Sequence, residues 1–242
     1  MIEECSEAAS PIHSCTHTET EERGFTVIRS DSARFSYRTV VTGPADRLSP
    51  TKKQSACSVV SSSLSYYLRR AVVKPDFLAL FVGLGNPLSV ADSLGFETAL
   101  RTLSDGVRSF SFAPLTEAKT GIKTESLIRR AAEEVRADVL IVTDALAAKE
   151  PHRLGTVIQI TDNGITPGSG ISAMRGEISS ASMPCPVIAI GVPTVIRSEL
   201  ICADEYAPLF VTPSGIGEIT SAFADILACA VNSAIFGNRG NN

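Results

Sequence analysis

Two aspartates draw attention because short apolar runs deliver them. The first run is Phe77-Leu78-Ala79-Leu80-Phe81-Val82, followed by Gly83-Leu84-Gly85-Asn86 and then Asp92. The second is Val139-Leu140-Ile141-Val142-Thr143, which closes on Asp144. Apolar runs of this length, bounded by Gly or Asp, read as strands buried on both faces. In open α/β sheets, ligands and chemistry collect at the carboxyl ends of such strands. Two carboxylates on neighbouring strand ends can approach one another, and like charges that close cannot both ionise readily. The ionised partner can take a proton from water. The protonated partner can polarise a carbonyl and later protonate the leaving amine. That chemistry is water-mediated peptide hydrolysis, with Asp92 and Asp144 as catalytic candidates and no metal or cofactor. Each residue also has a structural reading, Asp92 as a first-turn helix acid and Asp144 as a helix cap.

Around these carboxylates lie candidates for substrate binding. Gly83, Gly85 and Asn86 form a turn that can bring backbone N–H groups close to a ligand, although a tight turn before a helix has the same composition. Asp162, with Gly168, Ser169 and Gly170 in a Gly/Pro-rich stretch, can border a cleft or serve as a connector. His152 follows Pro151 and reads as a solvated loop residue. His13, Cys15 and His17 alternate in a polar segment but fall short of four supported ligands, so no metal site is expected. There is no GxGxxG, no GxxxxGK[ST], no HExxH and no GxSxG. The six cysteines lack CxxC spacing and read as free thiols in a reducing compartment.

The elements that must position these residues alternate in type. Residues 1–23 are polar and acidic and read as a mobile or propeptide-like tail. Residues 24–29 and 35–41 read as a hairpin. A helix is expected from about 54 to 73, a strand at 77–82, a helix at 91–104 and a strand at 107–113. A helix at 124–136, strands at 138–143, 155–160 and 186–191, and a helix at 216–236 follow. This pattern predicts one α/β domain over residues 24–242, a three-layer fold of the phosphorylase/hydrolase-like kind. Its sheet is mainly parallel, with helices on both faces. With 242 residues, 44% hydrophobic and 20% charged, the chain can fill such a core. A net charge of −4 gives no footprint for nucleic acid. No secretory signal and no run of roughly 20 apolar residues is evident, so a soluble, cytoplasmic protein is expected.

Several segments resemble the germination proteases of spore-forming bacteria. They are Val82-Gly83-Leu84-Gly85-Asn86 with Asp92, Thr120-Gly121-Ile122-Lys123-Thr124 and Asp144-Ala145-Leu146-Ala147. Further matches are the run from Ile158 to Ile165 with Pro167-Gly168-Ser169-Gly170, the run from Val187 to Val195, and Leu209-Phe210-Val211-Thr212-Pro213. They occur in the family's order across about residues 77–236. The resemblance implies an aspartic-type endopeptidase whose proposed catalytic residues fall on Asp92 and Asp144. Its substrates would be small acid-soluble spore proteins, degraded at germination in the spore core. It also implies a zymogen activated by propeptide removal and a homo-oligomer, a tetramer in the family, with no membrane or nucleic-acid partner. Val90-Ala91 stands where the family is expected to carry Thr-Pro, and the family's usual start region is not found in residues 1–23.

Two other readings stand beside this one. Gly83-Leu84-Gly85-Asn86-Pro87 also resembles the opening of hydrogenase-maturation endopeptidases, in which an acid after the turn holds nickel. Peptidyl-tRNA hydrolases open similarly but need a downstream His-Asn that is absent. Neither family accounts for residues 158–195. A non-catalytic spore protein that keeps the fold as a binding module is the remaining alternative.

Overall fold

A computed structural model of the chain describes residues 15–32, 36–74, 76–102, 107–112, 123–167, 176–201 and 209–239. Among the described residues, nine strands form a single sheet. They are β1 (Thr16–Glu22), β2 (Phe25–Asp31), β3 (Ser36–Val41), β4 (Ala79–Leu84), β5 (Val107–Phe112), β6 (Val139–Ala148), β7 (Val157–Thr161), β8 (Val187–Arg197) and β9 (Phe210–Val211). The spatial order is β1-β2-β3-β7-β8-β6-β4-β5, and β9 pairs with β8. The central pairs β8/β6, β6/β4 and β4/β5 are parallel, as the α/β alternation predicts. The N-terminal hairpin extends the sheet antiparallel through β3/β7 and β7/β8, so the sheet as a whole is mixed.

The strands are placed by burial on both faces. Along β6, Val139 and Ile141 join one core cluster and Leu140 and Val142 the other. The first core packs under helices α1 (Pro50–Ala71), α2 (Leu94–Arg101) and α4 (Ile216–Arg239). The second packs under α3 (Thr124–Val135) together with Ile165, Ile178, Met183 and Cys185 from the long connection after β7. This gives three layers. Helix α1 begins where Ser49 caps it, its side chain accepting from the Lys52 N–H at 3.3 Å, with Pro50 in the first turn. Arg69 and Arg70 occupy its last turn, as expected from the dipole.

Several expectations change. Residues 16–22 of the expected tail form β1, paired with β2 along its whole length, while residues 1–14 lie outside the described residues. The cysteines are not all free: Cys57 and Cys229 form a disulfide joining α1 to α4, with Cα atoms 6.0 Å apart and a sequence separation of 172. The expected helix 91–104 is a one-turn 3-10 helix, Val90–Asp92, followed by the shorter α2. Helix α4 carries a 22-residue stretch with mean hydropathy 1.6, long and apolar enough to cross a membrane. Two-thirds of that stretch is buried, packed against α1, α2 and the sheet. Strands β6 and β8 run well past their expected ends, which matters for the site.

A candidate active site where one central strand stops short

Strand β4 ends at Leu84, and its last pair with β6 is Gly83 beside Thr143. Strands β6 and β8 continue together to Ala148 and Ile196. Asp144 therefore lies within β6, one step past the last β4–β6 pair, and does not close the strand as expected. The reason is that β8 goes on supplying ladder partners, with Gly191 next to Asp144 and Val192 next to Ala145. Asp144 is 5% exposed, and its Oδ1 accepts from the Ala145 N–H at 2.9 Å. Strand alternation puts Asp144 on the α3 face with Val142 and Leu146. Gly191, its neighbour on β8, leaves room that Leu146 fills.

Asp92 comes from the turn after β4. Gly85 has φ +125, a conformation open to glycine, and a Cβ there would collide with the Asp92 backbone carbonyl. The Asn86 N–H donates to Asp92 Oδ2 at 2.9 Å and to the Asp92 carbonyl at 3.0 Å. The two aspartates thus bracket the segment Leu84–Asn86, Asp144 from beside it in the sheet and Asp92 from the returning turn. Helix α2 fixes both sides of this bracket. Gly95 sits so close to the strand ends that a Cβ would run into Leu84 O, Leu84 N and Thr143 O. Gly83 lies under the same helix, where a Cβ would collide with Gly95 O and come within 2.9 Å of the Ala99 Cβ. Gly83 and Gly85 therefore serve close packing and turn geometry, and of the three turn residues only Asn86 is part exposed.

A polar chain holds the Asp92 turn from behind, and sequence reasoning missed it. The Ser93 hydroxyl lies 3.0 Å from both the Val90 carbonyl and Glu97 Oε1. Arg101 donates to the Glu97 carboxylate at 2.9 Å, then reaches Ser221 Oγ at 3.1 Å and Asp225 at 3.0 Å on α4. The i,i+4 spacing of Glu97 and Arg101 was legible as a helix pair, but the link to α4 required the fold.

Asp162, expected to border the same cleft, is at the other edge of the sheet. Strand β7 is antiparallel to β8, with Thr161 beside Ala189, so its carboxyl end lies where the parallel strands begin. Asp162 is about 10 Å from the level of Asp144 along the strand direction, some three residues of rise. It accepts from the Ser36 N–H at 2.9 Å and faces Arg70 at 3.6 Å. It lines a pocket with Tyr67, Ser180 and Pro186. Gly168, Ser169 and Gly170 lie outside the described residues, as do Thr120, Gly121 and Ile122. The connection that contains residues 168–170 leaves from Asp162 and reaches the α3 layer, where a Cβ on Gly176 would meet the Glu125 side chain at the start of α3.

The remaining chemical candidates are engaged elsewhere. His152 is exposed in a one-turn 3-10 helix, Pro151–Arg153, and lies 3.4 Å from Glu150. Burial pushes the Cys185 thiol up to about 11, so it stays protonated near neutral pH and is a poor nucleophile. No group of three or more His, Cys, Asp or Glu among the described residues is arranged to hold a metal ion.

Comparisons with known proteins identify the family. The germination protease family model matches residues 28–208. The germination protease of Priestia megaterium is 37% identical over 169 residues, covering 64% of this chain and 46% of the relative. That of Bacillus subtilis is 36% identical over 166 residues, covering 63% and 45%. That of Bacillus cereus is 32% identical over 228 residues, covering 84% and 62%. The chain spans about half the length of the curated relatives it matches. Among solved structures, a NiFe hydrogenase maturation protease, HycI from Thermococcus kodakarensis KOD1, aligns with TM-score 0.45 and 16% identity over 72% of this chain and 99% of that one. With three-quarters of its length matched in order by the family model, the chain belongs to the germination protease family.

Proposed function

We propose that the protein is an endopeptidase that hydrolyses small acid-soluble spore proteins during germination, with Asp92 and Asp144 as its two catalytic carboxylates. The observation that carries this reading is their placement on either side of the Leu84–Asn86 segment, at the edge where α/β sheets gather chemistry. One carboxylate takes a proton from a water molecule as that water attacks the scissile carbonyl. The other, protonated, donates a hydrogen bond to the carbonyl oxygen and then passes its proton to the departing amine. Bonds made and broken balance as simple hydrolysis, and the carboxyl pair ends with its single proton redistributed. Asn86, the part-exposed turn residue, is the side chain best placed to touch substrate near Asp92. In the same reading the enzyme works in the spore cytoplasm, is made as a zymogen and assembles as a homo-oligomer.

The test is incubation of the purified protein with a small acid-soluble spore protein from mildly acidic to neutral pH, followed by mass spectrometry of the products. Asp92→Asn and Asp144→Asn should each remove cleavage while circular dichroism stays unchanged. Full activity in either variant would end the two-carboxylate mechanism. Activity that disappears in chelator and returns with a divalent metal would favour a metal-dependent reaction instead.

A further inference from the structure

Strands β4 and β5 end level, Leu84 beside Phe112, while β6 runs on, which among the described residues leaves a gap on the β4 side of β6. Past Leu84, no strand among the described residues lies beside β6 on its β4 side, although β6 continues for five residues, Asp144–Ala148. Backbone groups alternate sides along a strand. The Leu140 N–H points toward β8, donating to the Pro186 carbonyl at 2.9 Å. By alternation the backbone groups of Val142, Asp144 and Leu146 also point toward β8, while those of Thr143 and Ala145 turn toward β4. Past Leu146 the register with β8 shifts, the extra residue Thr194 falling on β8, so β6 itself keeps its alternation and Ala147 turns the same way as Ala145. The Ala145 N–H fits that parity, because it is taken by the Asp144 carboxylate and not by the ladder. The Ala145 carbonyl and the Ala147 N–H and carbonyl therefore face the gap.

This margin is not an ordinary exposed sheet edge. Its neighbours Asp144, Leu146 and Ala148 are buried, at 5%, 9% and 4% exposure. Backbone polar groups in such a setting call for partners. The floor of the gap is the Leu84–Asn86 segment bracketed by Asp92 and Asp144. We infer that the Ala145–Ala147 margin of β6 receives the substrate main chain as an added strand, in line with β4. This rests on the peptidase reading above and deepens it: the substrate is recognised as an extended, unfolded polypeptide segment. Main-chain hydrogen bonds supply the register, and side chains alternate toward the α3 face and the α2 face.

The experiment uses the intact protein and peptides spanning a mapped cut site in a small acid-soluble spore protein. Each peptide amide near the cut is methylated in turn, which removes its donor and adds bulk where a strand partner would stand. Sensitivity should alternate with period two, with roughly tenfold losses in kcat/KM at every second amide. Ala147→Pro removes the donor from the enzyme side, and should raise KM by about fivefold with kcat nearly kept. Hydrogen exchange of the Asp144→Asn protein with unmethylated peptide should show slowed exchange at Ala147, a readout that needs no turnover. Losses without alternation, or an Ala147 amide unaffected by saturating peptide, would overturn the added strand. If Asp92→Asn and Asp144→Asn keep full activity while alternation and Ala147 protection are seen, the strand stands and the two-carboxylate mechanism falls. If those variants are inactive and alternation is absent, the mechanism stands and the strand falls.

Discussion

The two edges of the parallel sheet carry aspartates in opposite circumstances. At the amino edge, Asp138 meets Lys74 Nζ at 2.8 Å and Asp162 faces Arg70 at 3.6 Å. Both also accept backbone N–H groups, from Leu78 and Ser36 respectively. Nearby, the Tyr67 phenol is buried between α1 and the sheet, and burial pushes its pKa well above the ordinary value. At the carboxyl edge, Asp92 and Asp144 accept from the N–H groups of Asn86 and Ala145, beside a strand that stops early. At the amino edge each carboxylate has a basic side chain against it, whereas at the carboxyl edge the two aspartates sit where β4 ends and β6 runs on.

The sharpest break of that contrast is mutational. Asp92→Asn and Asp144→Asn should each cut the hydrolysis rate by about a thousandfold. Asp162→Asn should leave kcat within about threefold and act mainly on stability. A large kcat loss at Asp162 with normal Asp92 and Asp144 variants would reverse the assignment of the edges. Next in size is Gly95→Ala. A methyl group there pushes against backbone of both β4 and β6, so overpacking should cost about 1–3 kcal/mol of stability. It should also lower kcat by roughly a hundredfold in the protein that still folds, because the two aspartates shift relative to each other.

The disulfide supplies a change that should treat the edges alike. Cys57→Ser removes a crosslink closing a 172-residue separation between α1 and α4, worth about 3 kcal/mol. The unfolding midpoint should fall by roughly 6–12 °C, with activity per folded molecule unchanged. The smallest effect is expected at Asp138. Burial raises its pKa, but hydrogen bonds from Lys74 and the Leu78 N–H outweigh that and leave it below the usual carboxylate value. Its contribution to stability is therefore present above the unfolded carboxylate range and is lost as pH falls through the lowered folded value. Lys74→Met should lower the unfolding midpoint slightly at neutral pH, and the gap from the parent protein should shrink as the solution is acidified.

Much of the fold was legible because the central strands are buried on both faces. Ala79–Leu84, Val139–Thr143 and Val187–Gly191 read as unbroken apolar runs for that reason. What was not legible has physical causes. Strand β6 continues through Asp144, and β8 through Pro193, residues that look like stops; both persist because each supplies the other's ladder there. Strand β1, Thr-His-Thr-Glu-Thr-Glu-Glu, has no apolar alternation because it is exposed on both faces. The Cys57–Cys229 pair has no local spacing to reveal it. Asp92 and Asp144 were singled out by their apolar approaches. Asp162 was grouped with them because strand direction is invisible in sequence, and β7 runs the opposite way. The clamp from Ser93 through Glu97 and Arg101 to Asp225 depends on how α2 and α4 meet, which no spacing encodes.

The outer strand β1 has a bearing on solubility. Two copies meeting antiparallel along its full length would set Glu19 opposite Glu19, with His17 against Glu21 and Thr16 against Glu22. Each strand carries three glutamates and no lysine or arginine, so at neutral pH such end-to-end growth is repelled. Replacing Glu19 with glutamine should weaken that repulsion, read as greater turbidity of concentrated solutions at neutral pH.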